Sequence, residues 1–323
     1  MVITVLLNLF FLQDFDPMNP ESRLDWIGTL LLALGSTGLI YGLMKGSDNA
    51  SHFFNSPMLL FSSLGLLVFI IYGIYNHLKD NETVLPLHFF KVKNFTAANI
   101  AVFLAGIASN GPMLLLPLFF QNTRSLSTID AALMLIPQGI GMLIARPLLG
   151  KAIDRFGARP VVLVSLFITL LGTFPLVIAG DSTNLYWIGL VLFVRGIGVG
   201  GLIMPMMTDI FIGLKSKDIA AASVGNRIIQ NLGSSFGSAI ISAVVTSVIT
   251  SQLAGQVTNS LNKLMNSTST NSLPFTAIKV RALAQASKIV TLHAYQSGFA
   301  VSCFVLVLII FPTFFLSSKL NTK

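Results

Sequence analysis

Residues 150–159 read GKAIDRFGAR and lie between two long apolar runs, with four charged residues and two glycines in ten positions. A short charged connector between nearly chargeless stretches marks a chain that leaves a bilayer, reverses and re-enters it. Gly150 and Gly157 permit a tight reversal where a side chain would clash. Asp154 is placed to cap or charge-complement a helix N-terminus. Arg155 and Arg159 are placed to pair with that acid or to hold helix C-termini. The stretch therefore predicts a charged clasp on the cytoplasmic side that latches two helix bundles shut, with Gly150, Asp154, Arg155, Gly157 and Arg159 as its members.

Outward from this connector the chain is a series of apolar runs. A bilayer core of ~30 Å needs about 20 mostly apolar helical residues. Eight segments qualify, near 26–46, 58–78, 97–120, 129–149, 160–180, 185–208, 222–250 and 296–317. Residues 1–12 are apolar but too short to cross, and read as the tail of a truncated transmembrane helix. Pro112, Pro117, Pro137 and Pro205 fall inside these runs. Within a bundle, neighbouring helices can satisfy the carbonyls that a proline frees. The runs are continuously apolar rather than alternating, which excludes a β-barrel.

Composition agrees. The 323 residues are 54% hydrophobic and only 10% charged, against roughly 25% charged in soluble domains. A soluble enzyme, a nucleic-acid binder and a disordered scaffold are excluded on that ground. The fold class is all-α integral membrane. The net charge of +8 reads as a topology signal. Arg23, Lys79, Lys91, Lys93, Lys151, Arg155, Arg159, Lys215, Lys217, Lys319 and Lys323 all fall on one side, which the positive-inside rule makes cytoplasmic. The short loops opposite hold Arg124, with Lys45 at a border. Trp26 and Trp187 fall at helix ends, where indoles prefer the interface. The expected localisation is the cell membrane, multi-pass, with a cytoplasmic C-terminus.

The outer loop 251–294 is the exception, with Lys263, Lys279, Arg281 and Lys288 and no acid. Residues 275–292 place Ile278, Leu283, Ile289 and Leu292 among basic and small residues. Two readings stand: an amphipathic helix lying on the outer surface, or a solvated extension of the flanking helices.

Several groups inside the spans are costly in lipid and therefore candidates for transport. Arg195 lies near the midplane with no acid at comparable depth. It either faces a central cavity or a missing half, or is satisfied by carbonyls that the nearby glycines free. In 222–250, Ser223, Arg227, Gln230, Ser234 and Ser238 share a face at three- and four-residue steps. Gln230 and Ser234 are read as a cavity face, and Gly233 and Gly237 as a close helix-packing edge. Asn110 and Gln138 are polar residues in other spans. Met204, Met206 and Met207 either add an adaptable apolar surface for varied lipophilic compounds or simply face lipid and neighbouring helices. The one cysteine, Cys303, gives neither a disulfide framework nor a metal site. There is no phosphate-binding loop, no zinc-protease signature and no cluster of catalytic groups. No cofactor, metal or catalytic residue is expected.

The pattern Gly-x-x-x-Asp-Arg-x-Gly-x-Arg at 150–159 resembles the loop signature of the major facilitator superfamily. The stretch from Leu126-Ser127 through Pro137-Gln138-Gly139 to Arg146-Pro147 and Gly150 resembles the fourteen-helix drug:proton antiporters of the EmrB/QacA group. So do Leu24-Asp25-Trp26-Ile27-Gly28, Arg195-Gly196-Ile197-Gly198-Val199-Gly200, and Asn226-Arg227 with Gly233-Ser234-Ser235-Phe236-Gly237. Pro160 departs from the family, which often has a second basic residue there. The resemblance covers residue 24 to the C-terminus and implies the C-terminal part of such an exporter. On that reading 1–12 is the tail of a truncated helix, and 13–94 holds two additional transmembrane helices and cytoplasmic loops. Residues 95–323 form the six-helix transporter domain with outer loop 251–294. The implied function is efflux of small lipophilic or cationic compounds, proton-coupled when intact. The implied partners are membrane lipid and a missing N-terminal transporter half. With no mid-membrane acid here, the proton site is expected in that half. The alternative is a non-transporting membrane scaffold, or a half-transporter pairing with a separately encoded N-terminal half.

Overall fold

The computed structural model describes residues 25–48, 56–79, 83–265 and 275–318. The 1–12 helix tail, Arg23, Lys319 and Lys323 lie outside these. The described residues form ten α-helices: α1 (Trp26–Asp48), α2 (Ser56–Leu78), α3 (Lys93–Arg124), α4 (Thr128–Leu133), α5 (Ile136–Phe156), α6 (Ala158–Val177), α7 (Leu185–Gly200), α8 (Ile203–Ile210), α9 (Ile219–Met265) and α10 (Phe275–Thr313). Eight stretches are long and apolar enough to cross a membrane, with α4–α5 and α7–α8 each forming one. Each expected span overlaps one of them, although the helices end at Val177 and Thr313, three and four residues short of the expected 180 and 317. The molecule is an all-helical, multi-pass membrane protein.

Two expected spans are broken, and proline explains both. Pro137 stands at the start of α5, and its i−4 residue is Leu133, where α4 ends. Pro205 lies in the first turn of α8, with Gly201 at i−4, where α7 has just ended. A proline removes the hydrogen bond to that carbonyl and clashes with it. Pro112 and Pro117 instead remain inside an unbroken α3.

Two layers carry the six spans after α2. Helix α3 packs with α9 and α10, while α7 packs with α5 and α6; α10 against α6 joins the layers. One buried cluster fills the end near α8 with Phe95, Val102, Met206, Ile210 and Leu306. The other fills the opposite end with Leu116, Phe119, Leu192, Tyr295 and Phe299. Helices α1 and α2 form a hairpin in which a Cβ on Gly38 would lie 2.9 Å from the Gly65 Cα. This hairpin lies against α9 through Leu43, Met58, Ala239 and Phe236. Its other faces expose Trp26, Leu30, Leu60 and Ile70, as lipid solvent requires.

The base of the hairpin is tied by polar groups, of which the sequence marked Asp25 alone, as part of a motif. Asp25 accepts from the Gly28 N–H at 3.0 Å, capping α1, and from the Tyr75 hydroxyl at 2.7 Å. Tyr72 donates to the Leu85 carbonyl at 2.8 Å and accepts from its N–H at 2.9 Å. Asn76 donates to the same carbonyl at 3.0 Å. The strap that leads to α3 is thereby fixed to α2. Burial acts to raise the Asp25 carboxyl, but the Tyr75 hydroxyl, the Gly28 and Val84 N–H groups and Lys79 together hold it below its ordinary value.

The described parts of 251–294, residues 251–265 and 275–294, favour the second reading. Helix α9 runs on to Met265, and α10 is unbroken from Phe275, so the flanking helices extend. At 47 and 39 residues they are about 70 and 58 Å long, far beyond a ~30 Å bilayer core. Ile278, Ala282, Ala286, Val290 and Ala294 are buried at every fourth position, so they share one face of α10. The extension also pairs Lys288 with Asp181 at 2.5 Å.

Candidate functional site: two polar clusters and a chain-end clasp

Helix α9 approaches α3 closely because both carry glycine at the crossing. A Cβ on Gly106 would lie 3.0 Å from the Ser234 nitrogen and 3.1 Å from the Gly233 carbonyl carbon. One on Gly237 would lie 2.6 Å from the Ile107 Cα, and Gly233 faces the Phe103 carbonyl. This contact brings Asn110 to Ser234: the amide donates to the hydroxyl at 2.8 Å and to the Gly106 carbonyl at 3.1 Å. Ser234 donates to the Gln230 carbonyl at 3.0 Å, and Arg227 donates to the Gln230 amide oxygen at 3.2 Å. Asn110 of α3 and Ser234, Gln230 and Arg227 of α9 thus form one chain across the contact. Ser223, Arg227 and Asn231 are exposed on this helix. Asn99 and Asn226, each seven residues before Gly106 and Gly233, are buried at 1% and 0% exposure. They occupy the same two faces, two turns away.

The second cluster is separate and enclosed. Arg195 is 1% exposed and donates to the Gln138 amide oxygen at 2.9 Å. That is neither of the expected arrangements: its partner is a side chain of α5, not a freed carbonyl and not a group outside the chain. Glycines again set the approach. A Cβ on Gly196 would lie 2.9 Å from the Gln138 carbonyl carbon, and one on Gly172 would lie 2.5 Å from the Arg195 Cα. Thr169, Thr173 and Ser302 are buried too, each bonded to a carbonyl one turn back. Arg195 Nε and Nη2 have no hydrogen-bond partner among the described residues. Of the methionines, Met206 is buried in the core while Met204 is half-exposed.

The 150–159 connector differs in detail from its expectation. Asp154 caps nothing: α5 runs through it to Phe156, and the cap of α6 is Gly157. No ion pair joins Asp154 to Arg155 or Arg159 among the described residues. Gly150 lies inside α5 with open space around it, so the reversal belongs to Gly157 alone, at φ 81° and ψ 175°. That conformation is essentially closed to other residues. Gly157→Ala is expected to lower unfolding stability by about 1–3 kcal/mol, read as a lower midpoint in mixed-micelle denaturation, whereas Gly150→Ala leaves the midpoint in place or raises it. The basic groups reach other partners. Arg155 lies over Phe156 at 5.2 Å and Arg159 over Phe314 at 4.9 Å. The Arg159 N–H donates to the Ser317 carbonyl at 2.9 Å. Ser317 in turn donates its N–H to the fully buried Asp209 carboxylate at 3.2 Å, and its hydroxyl bonds the same group. The start of α6 and the end of α8 are thus joined through the residues just after α10. Sequence reasoning missed this contact; Asp209, an acid at the end of an apolar run, is the residue that could have pointed to it.

Eight stretches long and apolar enough to cross a membrane, with polar groups gathered at the α3–α9 and α5–α7 contacts and along one face of α9, define a multi-pass membrane protein rather than a soluble fold. The comparisons agree: the model of the Major Facilitator Superfamily matches residues 19–238, and the chain belongs to that family. It is 27% identical over 208 residues to the "Uncharacterized MFS-type transporter YhcA" of Bacillus subtilis, covering 64% of this chain and 38% of that protein. It is 27% identical over 241 residues to the "Multidrug export protein EmrB" of Escherichia coli, covering 72% and 46%. It is 25% identical over 216 residues to the "Lincomycin resistance protein LmrB" of Listeria innocua, covering 65% and 44%. The resemblance to the EmrB group holds. The chain spans less than half the length of these relatives.

Proposed function

We propose that this chain supplies one half of a secondary exporter of small lipophilic or cationic compounds and works paired with a second, N-terminal six-helix half. The observation that carries this is the polar face of α9. Arg227 and Asn231 are exposed at about 12 and 18 Å along a helix built to cross the bilayer. Lipid does not tolerate a guanidinium and amides presented to it, so this face lines water or a second protein half. Facilitators bind substrate at the midplane between two halves and rock them in alternation. On this reading residues 95–323 are the transporter domain, with Asn110, Arg227, Gln230 and Ser234 facing the central path. Arg195 and Gln138 hold α7 to α5 behind it. Gly157 and Arg159 belong to the latch on the cytoplasmic side, where the C-terminus also lies. The similarity to a multidrug export protein and a lincomycin resistance protein supports export of small compounds.

Dye efflux in an exporter-deficient strain tests it. The chain alone is expected to give none. Co-expression with an N-terminal six-helix half is expected to restore efflux, and a protonophore to abolish it again. The proton-titrating carboxylate is placed in that second half. Efflux from this chain alone overturns the reading, and so does a paired complex that exports normally after Gln230→Leu with Ser234→Leu.

A further inference from the structure

Helices α6 and α10 leave an apolar groove of about 200 Å³ between them, lined by Leu163, Phe167 and Leu170 on one side and Leu306, Val307 and Ile310 on the other. Phe167 and Val307 are largely exposed, so the groove opens to the bilayer. It is smaller than the ~300–1,000 Å³ of sites for drug-sized ligands and offers no polar lining side chain. What fits such a groove is a hydrocarbon tail.

One end of the groove is not apolar. Arg159 is one turn before Leu163 on α6, and Phe314 is one turn after Ile310 beyond α10. They share the faces that line the groove. The Arg159 guanidinium sits over the Phe314 ring at 4.9 Å, and its backbone is held by Ser317. Among the described residues no acidic side chain pairs with it. A cation fixed on an aromatic ring, at the mouth of a tail-sized groove and at the end of a membrane span, meets the depth of lipid phosphates. Basic pockets between transmembrane helices recognise anionic headgroups in this way.

We propose that the α6–α10 groove binds one anionic phospholipid, with an acyl chain along Leu163, Phe167 and Val307 and the headgroup phosphate on Arg159. The site lies in the leaflet on the Gly157 side. It does not depend on the export function. Native mass spectrometry of the purified full chain, titrated with phosphatidylglycerol and separately with phosphatidylcholine, tests it. The expected preference for phosphatidylglycerol is about fivefold, the worth of one basic residue at an anionic surface. Arg159→Gln is expected to erase it and Arg159→Lys to keep it. Val307→Trp fills the groove and is expected to lose retention of both lipids. Should that variant fail to fold, the Arg159 pair still decides. Glycerol phosphate without acyl chains is expected not to compete. An unchanged preference in Arg159→Gln overturns the proposal, as does full retention by a folded Val307→Trp. Displacement by glycerol phosphate makes it a free-phosphate site and overturns it equally.

Discussion

Gly237→Ala and Gly255→Ala, two identical changes on the same helix, are expected to move stability in opposite directions. At Gly237 the new methyl would lie 2.6 Å from the Ile107 Cα. That neighbour is backbone and cannot swing aside, so α3 and α9 must separate. Overpacking of this kind costs about 1–3 kcal/mol. Separation also stretches the Asn110–Ser234 bond, which depends on the same approach. At Gly255 nothing lies within 4 Å, and replacing a helical glycine there gains roughly 0.5–1 kcal/mol. Denaturation in mixed micelles, with helicity as the signal, is expected to show the Gly237→Ala midpoint below the unmodified chain and the Gly255→Ala midpoint above it. Gly237→Leu lowers it further. Equal shifts for the two alanines would mean that helix propensity, not the α3–α9 seam, sets the value of glycine on this helix.

The seam was legible because its signals are local. Gly233 and Gly237 stand one turn apart beside a polar stripe, so periodicity alone put them on a contact edge. The spans were legible for the same reason, since hydropathy accumulates over about 20 consecutive residues. The extension at 275–292 was left open for a physical cause. Ala282, Ala286 and Ala294 contribute little hydropathy, yet small residues at every fourth position are what lets two helices pack closely. The charged connector misled in a different way. Asp154 and the arginines are neighbours in sequence, and a pairing among them was the economical reading. Helical geometry turns them apart, and Arg159 finds Phe314 and Ser317, more than 150 positions later. Partners at that separation leave no trace in a single sequence. Breaks at Pro137 and Pro205, beside continuity at Pro112 and Pro117, likewise depend on what surrounds each freed carbonyl.

Arg195 and Gln138 are 57 positions apart and belong to that non-local class; removing the amide is expected to be worse than removing the arginine. In Gln138→Leu the guanidinium stays buried at 1% exposure and loses its one side-chain acceptor. Leaving a buried charged donor without its acceptor costs more than the ~1–3 kcal/mol of a neutral group. In Arg195→Leu the group left behind is a neutral amide, at about 1–3 kcal/mol. The double variant leaves neither. Its destabilisation is therefore expected to be smaller than that of Gln138→Leu alone, a non-additivity that contacting residues show and distant ones do not. Simple addition of the two single effects would mean that the bond at 2.9 Å carries no coupling. The same double variant separates architecture from transport. In a complex paired with an N-terminal half, restored stability with normal efflux makes the pair a brace between α5 and α7. Restored stability with lost efflux means that the guanidinium itself takes part in the transport cycle, because everything else it held in place has been put back.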